Sequence, residues 1–347
     1  MGNISKYAAI NTKAMAMEKK ILTDNDYLKM IELPTVANVV DYLKTETYYQ
    51  QLVSNDMGDD IGELEGLLKK HLFSQYEKLF HYFTGDDKKF FKILFMRYEI
   101  ENLKVFLRMI IRKESLQRIS DHIIIPESYS SINYTLLNDA RTLDDIISGL
   151  EGTEYQKIIQ MFKDEEEDKL MFYMEMNLDR LYFKKLYSQA KRLDGENSRA
   201  IGEVIGRNID MLNIQWIYRG RRFYKISQEE LVNYSLQGGK YFKYDQLKAM
   251  CYKEKLSEIE TIVRTSPYGS IFEDVPDFEI FLERSMERYI YKYFNQLRLS
   301  YPMTMVEPMV YMHRLEYEIR DLITILEMKR YNLKGEEGKK FLVRHLK

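Results

Sequence analysis

Three short stretches of the chain place an acid and a second polar group three residues apart: Glu99 with Asn102, Asp210 with Asn213, and Glu318 with Asp321. A carboxyl among apolar neighbours can do acid–base work once its pKa is raised. It can equally accept hydrogen bonds at the edge of a helix, a structural role that creates the same setting. Sequence position nominates no partner carboxylate that would complete an acid–base pair. The other chemistry-bearing types are sparse. His71, His81, His122, His313 and His345 form no His-Glu-x-x-His or other compact ligand pattern. No Gly-x-x-x-x-Gly-Lys-Ser/Thr stretch occurs, and Gly202 and Gly206 lack the dinucleotide pattern. Cys251, the single cysteine, excludes an intrachain disulfide and every multi-cysteine metal site. Its neighbours are Tyr, Lys and Met, which suit a buried small hydrophobe better than a reactive thiol. We therefore assign no catalytic, cofactor-binding or metal residue, and expect a protein that is not an enzyme and carries no cofactor.

The three polar pairs sit on stripes of one helical period. Phe95, Glu99, Asn102, Phe106 and Met109 follow 4-3-4-3 spacing, as do Gly206, Asp210, Asn213, Ile217 and Gly220, and Arg314, Glu318, Asp321, Ile325 and Met328. One reading is a helix edge with satisfied polar groups. The sharper one is three helices lining a shared concavity that offers acids and amides to a partner protein.

Each stripe follows a second marker by 50 to 60 residues. That marker reads Leu43–Tyr48, then Leu150–Tyr155, and more loosely Val263–Tyr268. The first marker residues lie 107 and 113 residues apart, the acids of the stripes 111 and 108. Two markers recurring in one order at nearly one period indicate three helical repeats, longer than the short solenoid units. We place them at 1–125, 126–237 and 238–347. Punctuation at Thr84–Asp87, Pro126–Ser131 and Gly238-Gly239 is consistent with this division. Capping spacings occur at Thr23/Asp26, Thr142/Asp145, Ser227/Glu230 and Ser257/Glu260, with Pro34 near the start of a further helix.

Composition agrees with an all-α chain. Six prolines and 16 glycines among 347 residues are too few to punctuate a long series of strands. The 28 tyrosines and 17 phenylalanines rule out disorder as the main state. Tyr289, Tyr291, Tyr293, Tyr301, Tyr311 and Tyr317 suit partly wet contacts in an assembly. A formal charge of −2 gives no global attraction to nucleic acid. Arg219, Arg221 and Arg222 follow Trp216 and Tyr218, but the acidic run Asp164–Asp168 shows mixed charge. A solvated helix end or a salt bridge to a partner is the preferred account of the arginines. No stretch reaches 18 consecutive apolar residues, and no secretory signal fits residues 1–22.

The chain resembles the C subunit family of archaeal-type and bacterial V-type ATP synthases, which is similar to the eukaryotic V-ATPase d subunit. The resemblance spans nearly the whole sequence. It is carried by Tyr7–Ala9 through Met17–Lys19, Leu22-Thr23, Leu43–Tyr49, Glu99–Leu103 with Arg108, and Asn208–Ile214 with Arg219. The third copy departs from it, with Asp321 where Asn102 and Asn213 stand and Glu327 in place of the arginine. The resemblance implies a funnel of three helical domains with a central cavity, between a soluble central stalk and a membrane proteolipid ring. The implied role is non-catalytic coupling in the central rotor, transmitting torque for ion-coupled ATP synthesis or hydrolysis from a peripheral position on the cytoplasmic side of the membrane. It makes Glu99, Asn102, Asp210, Asn213, Glu318 and Asp321 candidates to line or support the socket. Arg219, Arg221 and Arg222 become candidates for partner contact. The alternative is a helical adaptor or scaffold in a non-rotary assembly.

Overall fold

The computed structural model describes residues 2–53, 60–113, 125, 129–272 and 277–346, leaving aside the side chains of residues 2–5 and Asp168. His122, most of the neighbourhood of the 125/126 boundary and the Pro126–Ser128 part of the expected break lie outside the described residues. Among the described residues every regular element is helical and there is no strand. In chain order the α-helices are α1 (Gly2–Glu18), α2 (Asp24–Glu32), α3 (Val36–Glu46), α4 (Ile61–Phe80), α5 (Gly85–Ile111), α6 (Tyr134–Asn138), α7 (Leu143–Gly149) and α8 (Glu154–Phe162). They continue as α9 (Glu167–Ala190), α10 (Gly195–Arg222), α11 (Gln228–Tyr234), α12 (Tyr244–Cys251), α13 (Leu256–Arg264), α14 (Phe278–Ser300), α15 (Val306–Arg330) and α16 (Gly335–Gly338). Short 3-10 turns lie at Tyr48–Gln51, Gly269–Phe272 and Lys339–Phe341.

The order is repetitive. Among the described residues, three short or medium helices precede each consecutive pair of long ones, α4–α5, α9–α10 and α14–α15. The second member of each pair carries a polar stripe. At 27 residues, α5 is about 40 Å long.

Local chemistry sets many of the ends. Thr23/Asp26, Thr142/Asp145 and Ser227/Glu230 form capping boxes at α2, α7 and α11. Thr35, one residue after Pro34, caps α3 by accepting from the Asn38 N–H. The expected box at Ser257/Glu260 is not the one used. The helix starts two residues earlier, where Glu258 accepts from the Lys255 N–H at 3.0 Å, so Ser257 already lies inside α13.

The chain divides into two compact units. One joins the residues up to Phe83 with those from Glu279 onward, and the other is Thr84–Phe278. In the first unit α15 packs on α4 and α1. The Tyr76 hydroxyl donates to the Met312 carbonyl at 3.0 Å, and Asn11 Nδ2 donates to the Thr304 carbonyl at 3.0 Å. Arg298 clamps both Glu18 oxygens at 2.9 Å and also reaches Glu307. In the second unit α9 packs on both α5 and α10. Lys104 meets Asp179 at 2.6 Å, Arg108 meets Glu175 at 2.5 Å, and Gln189 reaches the Asp86 carbonyl, which fixes α5 and α9 as antiparallel. Burying Lys104 is tolerable because carboxylates from two helices surround its ammonium.

Candidate functional site

The stripe residues are more deeply buried than residues facing an open socket would be. Glu99, Asn102, Asp210, Asn213, Glu318 and Asp321 all lie in the core, and Asp210 and Asn213 have no exposed surface at all. A buried carboxylate needs donors to offset its lost hydration, and each acid has them.

In the second unit, Glu99 on α5 accepts through Oε1 from the Ser131 N–H at 2.6 Å and from the Ser130 and Ser131 hydroxyls. Its Oε2 accepts from the Tyr155 hydroxyl at 3.1 Å. Asn102, one turn on, donates to the Tyr134 hydroxyl at 3.0 Å. On α10, Asp210 accepts from the Tyr241 N–H at 2.7 Å, the Phe242 N–H at 3.2 Å and the Tyr268 hydroxyl at 2.6 Å. Burial raises its pKa against the pull of these bonds. Asn213 makes a reciprocal pair with the Leu236 backbone, donating to its carbonyl at 2.9 Å and accepting from its N–H at 2.8 Å.

The chain passes close beside Asp210. A Cβ added to Gly239 would stand 2.0 Å from Asp210 Oδ1 and 2.8 Å from the Phe242 carbonyl oxygen. Gly238 before it adopts a φ of +102°, open to glycine at no steric cost.

In the first unit, Glu318 on α15 accepts from the Leu22 N–H at 2.6 Å and the Tyr49 hydroxyl at 2.9 Å. Asp321 accepts from the Val343 N–H at 2.6 Å and the Arg344 N–H at 2.9 Å. Burial pushes Glu318 up to about 7 and Asp321 up to about 6.

The three acids share one plan: each takes a backbone amide and a tyrosine hydroxyl from a segment remote in sequence. Tyr155 serves Glu99 and Tyr268 serves Asp210 within one unit, and Tyr49 serves Glu318 within the other. Tyr49 lies one residue beyond the Tyr48 that matches Tyr155 and Tyr268 in the sequence marker. The partner amides of Leu22, Ser131, Tyr241, Phe242, Val343 and Arg344 carry no side-chain signature, and sequence reasoning missed them. Such an arrangement immobilises backbone. It buries the carboxylates of Glu99, Asp210, Glu318 and Asp321 against their donors, and among the described residues no group of three or more His, Cys, Asp or Glu could hold a metal.

The family model for the ATP synthase (C/AC39) subunit matches residues 10–341. The chain belongs to this family. Its relatives include the A-type ATP synthase C subunit of Desulfurococcus sp. (strain SY), 26% identical over 93% of this chain and 86% of that protein. The corresponding C subunit of Thermococcus kodakarensis is 25% identical over 97% of this chain and 90% of its own. That of Methanosarcina mazei is 24% identical over 98% and 93%. As a C/AC39 subunit the protein is non-catalytic, and its family ties it to a coupling role among stalk and rotor components. No helix among its described residues is long and apolar enough to cross a membrane.

In this C/AC39 subunit the arginines at the end of α10 divide by role. Arg221 turns inward and donates to the carbonyls of Cys251 and Lys253, both at 2.7 Å, which caps the end of α12. Arg219 and Arg222 are exposed, with the Arg222 guanidinium 5.9 Å from the centre of the Phe223 ring. Trp216 and Tyr218 are buried, so neither of the aromatics that precede the arginines in sequence is offered at the surface, where Phe223 stands instead. Cys251 is fully buried and burial pushes its thiol up to about 12, which makes it inert. Tyr311 and Tyr317 belong to the core.

Proposed function

We propose that this chain is a central-rotor coupling subunit linking a soluble central stalk to a membrane proteolipid ring, and that it transmits torque for ion-coupled ATP synthesis or hydrolysis. It works at the cytoplasmic face of the membrane as a peripheral part of the complex. Its three repeats, 1–125, 126–237 and 238–347, form a funnel around a central cavity. The observation that supports this reading is that three helical acids at nearly one spacing each pair with a tyrosine hydroxyl, Glu99 with Tyr155, Asp210 with Tyr268 and Glu318 with Tyr49, in a chain of this family. Three like joints are what a threefold socket built from one chain requires.

Torque demands stiffness, and close-packed helices with fully bonded buried polar groups supply it. Glu99, Asn102, Asp210, Asn213, Glu318 and Asp321 accordingly support the socket from behind its walls. Arg219 and Arg222, the exposed members of the basic cluster, are the ones offered to a partner, while Arg221 holds the helix end that presents them.

The test is purification from membranes with a tag on this chain, followed by cross-linking. Recovery of proteolipid and central-stalk subunits, cross-linked to different faces, is the expected result. Recovery of neither would move the protein to a non-rotary scaffold.

A further inference from the structure

Two helices of the second unit are followed by a lysine in the left-handed region, Lys113 after α5 at a φ of +56° and Lys225 after α10 at +51°. Glycine is the residue that takes this position beyond a helix end without a steric penalty. At Lys225 the hydrogen bonds are those of a full C-terminal motif. The Ile226 N–H donates to the Gly220 carbonyl at 3.0 Å, and the Phe223 N–H to the Arg219 carbonyl at 2.9 Å. The attraction of a helix C-terminus for cations accounts for Arg219, Arg221 and Arg222 in the last turn. It fades beyond that turn, where Lys225 is held in a conformation that disfavours it. The lysine side chain therefore points to a role outside the helix.

Both lysines stand at the same end of the unit. Arg108 of α5 pairs with Glu175 of α9, and Arg112 lies four residues, about 6 Å, further along α5. Phe172 of α9 lies about 4.5 Å beyond Glu175 in the same direction, because the two helices are antiparallel. Its ring meets that of Tyr224 at 4.7 Å, and a Cβ added to Gly220 would stand 3.2 Å from its Cζ. The ends of α5 and α10 are therefore level beside the start of α9. Arg112, Lys113, Arg219, Arg222, Phe223 and Lys225 are all exposed there.

The neighbours of this basic surface limit what can rest on it. The turn ahead of α9 puts the exposed acids Asp164–Glu167 at the same end of the unit. A broad anionic surface, such as a membrane leaflet or a nucleic-acid duplex, would meet these acids together with the cations. A single polypeptide segment is narrow enough to engage the helix ends and miss them. Arg219 and Arg222 lie three residues apart on one face, and their guanidinium forks suit carboxylates spaced along such a segment. Phe223 beside them is 53% exposed and offers an apolar ring. Arginine with an aromatic ring is the composition favoured at interface anchors.

We propose that the ends of α10 and α5 form a docking surface for an acidic segment of a soluble partner protein. Arg219, Arg222 and Lys225 face its carboxylates, Phe223 packs against an apolar residue between them, and Arg112 and Lys113 extend the contact. Naming that partner as a central-stalk subunit rests on the rotor function proposed above. On that reading the surface belongs to the stalk side of the chain. A proteolipid ring is surrounded by an anionic leaflet, which Asp164–Glu167 would repel.

The test uses the full chain in complexes purified from membranes, with the photo-cross-linker p-benzoyl-phenylalanine in place of Phe223. The expected product joins position 223 to a segment of a soluble stalk subunit that carries several acidic residues. Arg219→Glu combined with Arg222→Glu should lower recovery of that subunit about tenfold at about 0.15 M salt, and leave recovery of proteolipid unchanged. Lys225→Gly should lower it about threefold while the melting temperature stays at or above wild type, which separates a binding role from a structural one. A cross-link to lipid or proteolipid overturns the proposal, as does the absence of any cross-link in a complex that holds both stalk and ring. Unchanged recovery in the double variant or in Lys225→Gly overturns it too. A cross-link to an acidic segment of a protein outside the rotor keeps the surface and overturns the rotor reading.

Discussion

Tyr268→Phe removes one oxygen from the core and little else. The ring is fully buried, 5.3 Å from the Tyr241 ring and 6.0 Å from that of Phe242, and phenylalanine keeps that packing. What disappears is a 2.6 Å bond to the Asp210 carboxylate. Bonds to charged acceptors contribute about 1.5–3 kcal/mol, so a loss of about 2 kcal/mol is expected. Asp210→Ala strands more. It leaves the Tyr241 and Phe242 N–H groups and the Tyr268 hydroxyl without an acceptor, at about 1–3 kcal/mol for each buried donor. Relief from burying a charge offsets part of that, giving a net loss of about 4 kcal/mol. With the acceptor gone, the hydroxyl has nothing to hold. The double variant should therefore cost no more than Asp210→Ala alone, a coupling of about 2 kcal/mol. Urea denaturation followed by tryptophan fluorescence is a suitable assay, because the single tryptophan, Trp216, is buried on the same helix as Asp210. A loss under about 0.5 kcal/mol for Tyr268→Phe, or strictly additive losses, would refute the account of Asp210 as an anchor for the following segment.

Gly239→Ala should destabilise the protein by about 3 kcal/mol or more, since its Cβ would overlap the Asp210 carboxylate and the Phe242 carbonyl; a melting temperature near wild type would contradict the close approach. For Glu318, ionisation is harder in the folded state than in the unfolded one, so stability is greatest below the unfolded pKa and is lost as pH rises to about 7, by about 3 kcal/mol at most. Glu318→Gln should flatten that slope in denaturation curves taken across the range. Arg221→Ala should lower stability by about 1–2 kcal/mol and speed hydrogen exchange at the end of α12, because two carbonyls lose a cationic donor. Arg219→Ala and Arg222→Ala should stay within about 0.5 kcal/mol of wild type while weakening recovery of partner subunits. Asn213→Asp sets a carboxylate against the Leu236 carbonyl, and should cost about 2 kcal/mol at neutral pH and recover as pH falls and the acid gains a proton to donate.

The stripes were legible because helix geometry alone brings Glu99 and Asn102, or Asp210 and Asn213, onto one face. Their depth was not. A helix edge and a helix core share the same spacing, and what decides between them is a partner segment that arrives from elsewhere in the chain. Those segments bind through backbone amides, as at Ser131, Tyr241 and Leu22, and an amide has no residue type. Tyr155 and Tyr268 were visible as the ends of a repeated marker, but their link to the acids was not. At the 3-10 turn Tyr48–Gln51 both adjacent tyrosines turn inward, and it is the fully buried Tyr49 that donates to Glu318 at 2.9 Å. The Lys104–Asp179 pair was hidden for a related reason, since 75 residues separate its members. The basic cluster read as one surface, yet its middle member serves the fold. At about 100° per residue Arg219 and Arg222, three positions apart, share a face, whereas Arg221 points about 160° away from Arg219.

The one irregularity in the stripes has a chemical explanation. Asn213 meets a carbonyl and an N–H of the same residue, Leu236, and a side-chain amide answers both, with one donor and one acceptor. Asp321 meets two N–H groups, those of Val343 and Arg344. An asparagine there would turn its own NH2 toward one of them, whereas a carboxylate accepts both. Asp321 is therefore an acid where Asn213 is an amide because the segment docking on it presents two donors instead of a donor and an acceptor. Burying that second charge is costly beside Glu318, and the guanidinium groups of Arg284 and Arg320 lower the cost.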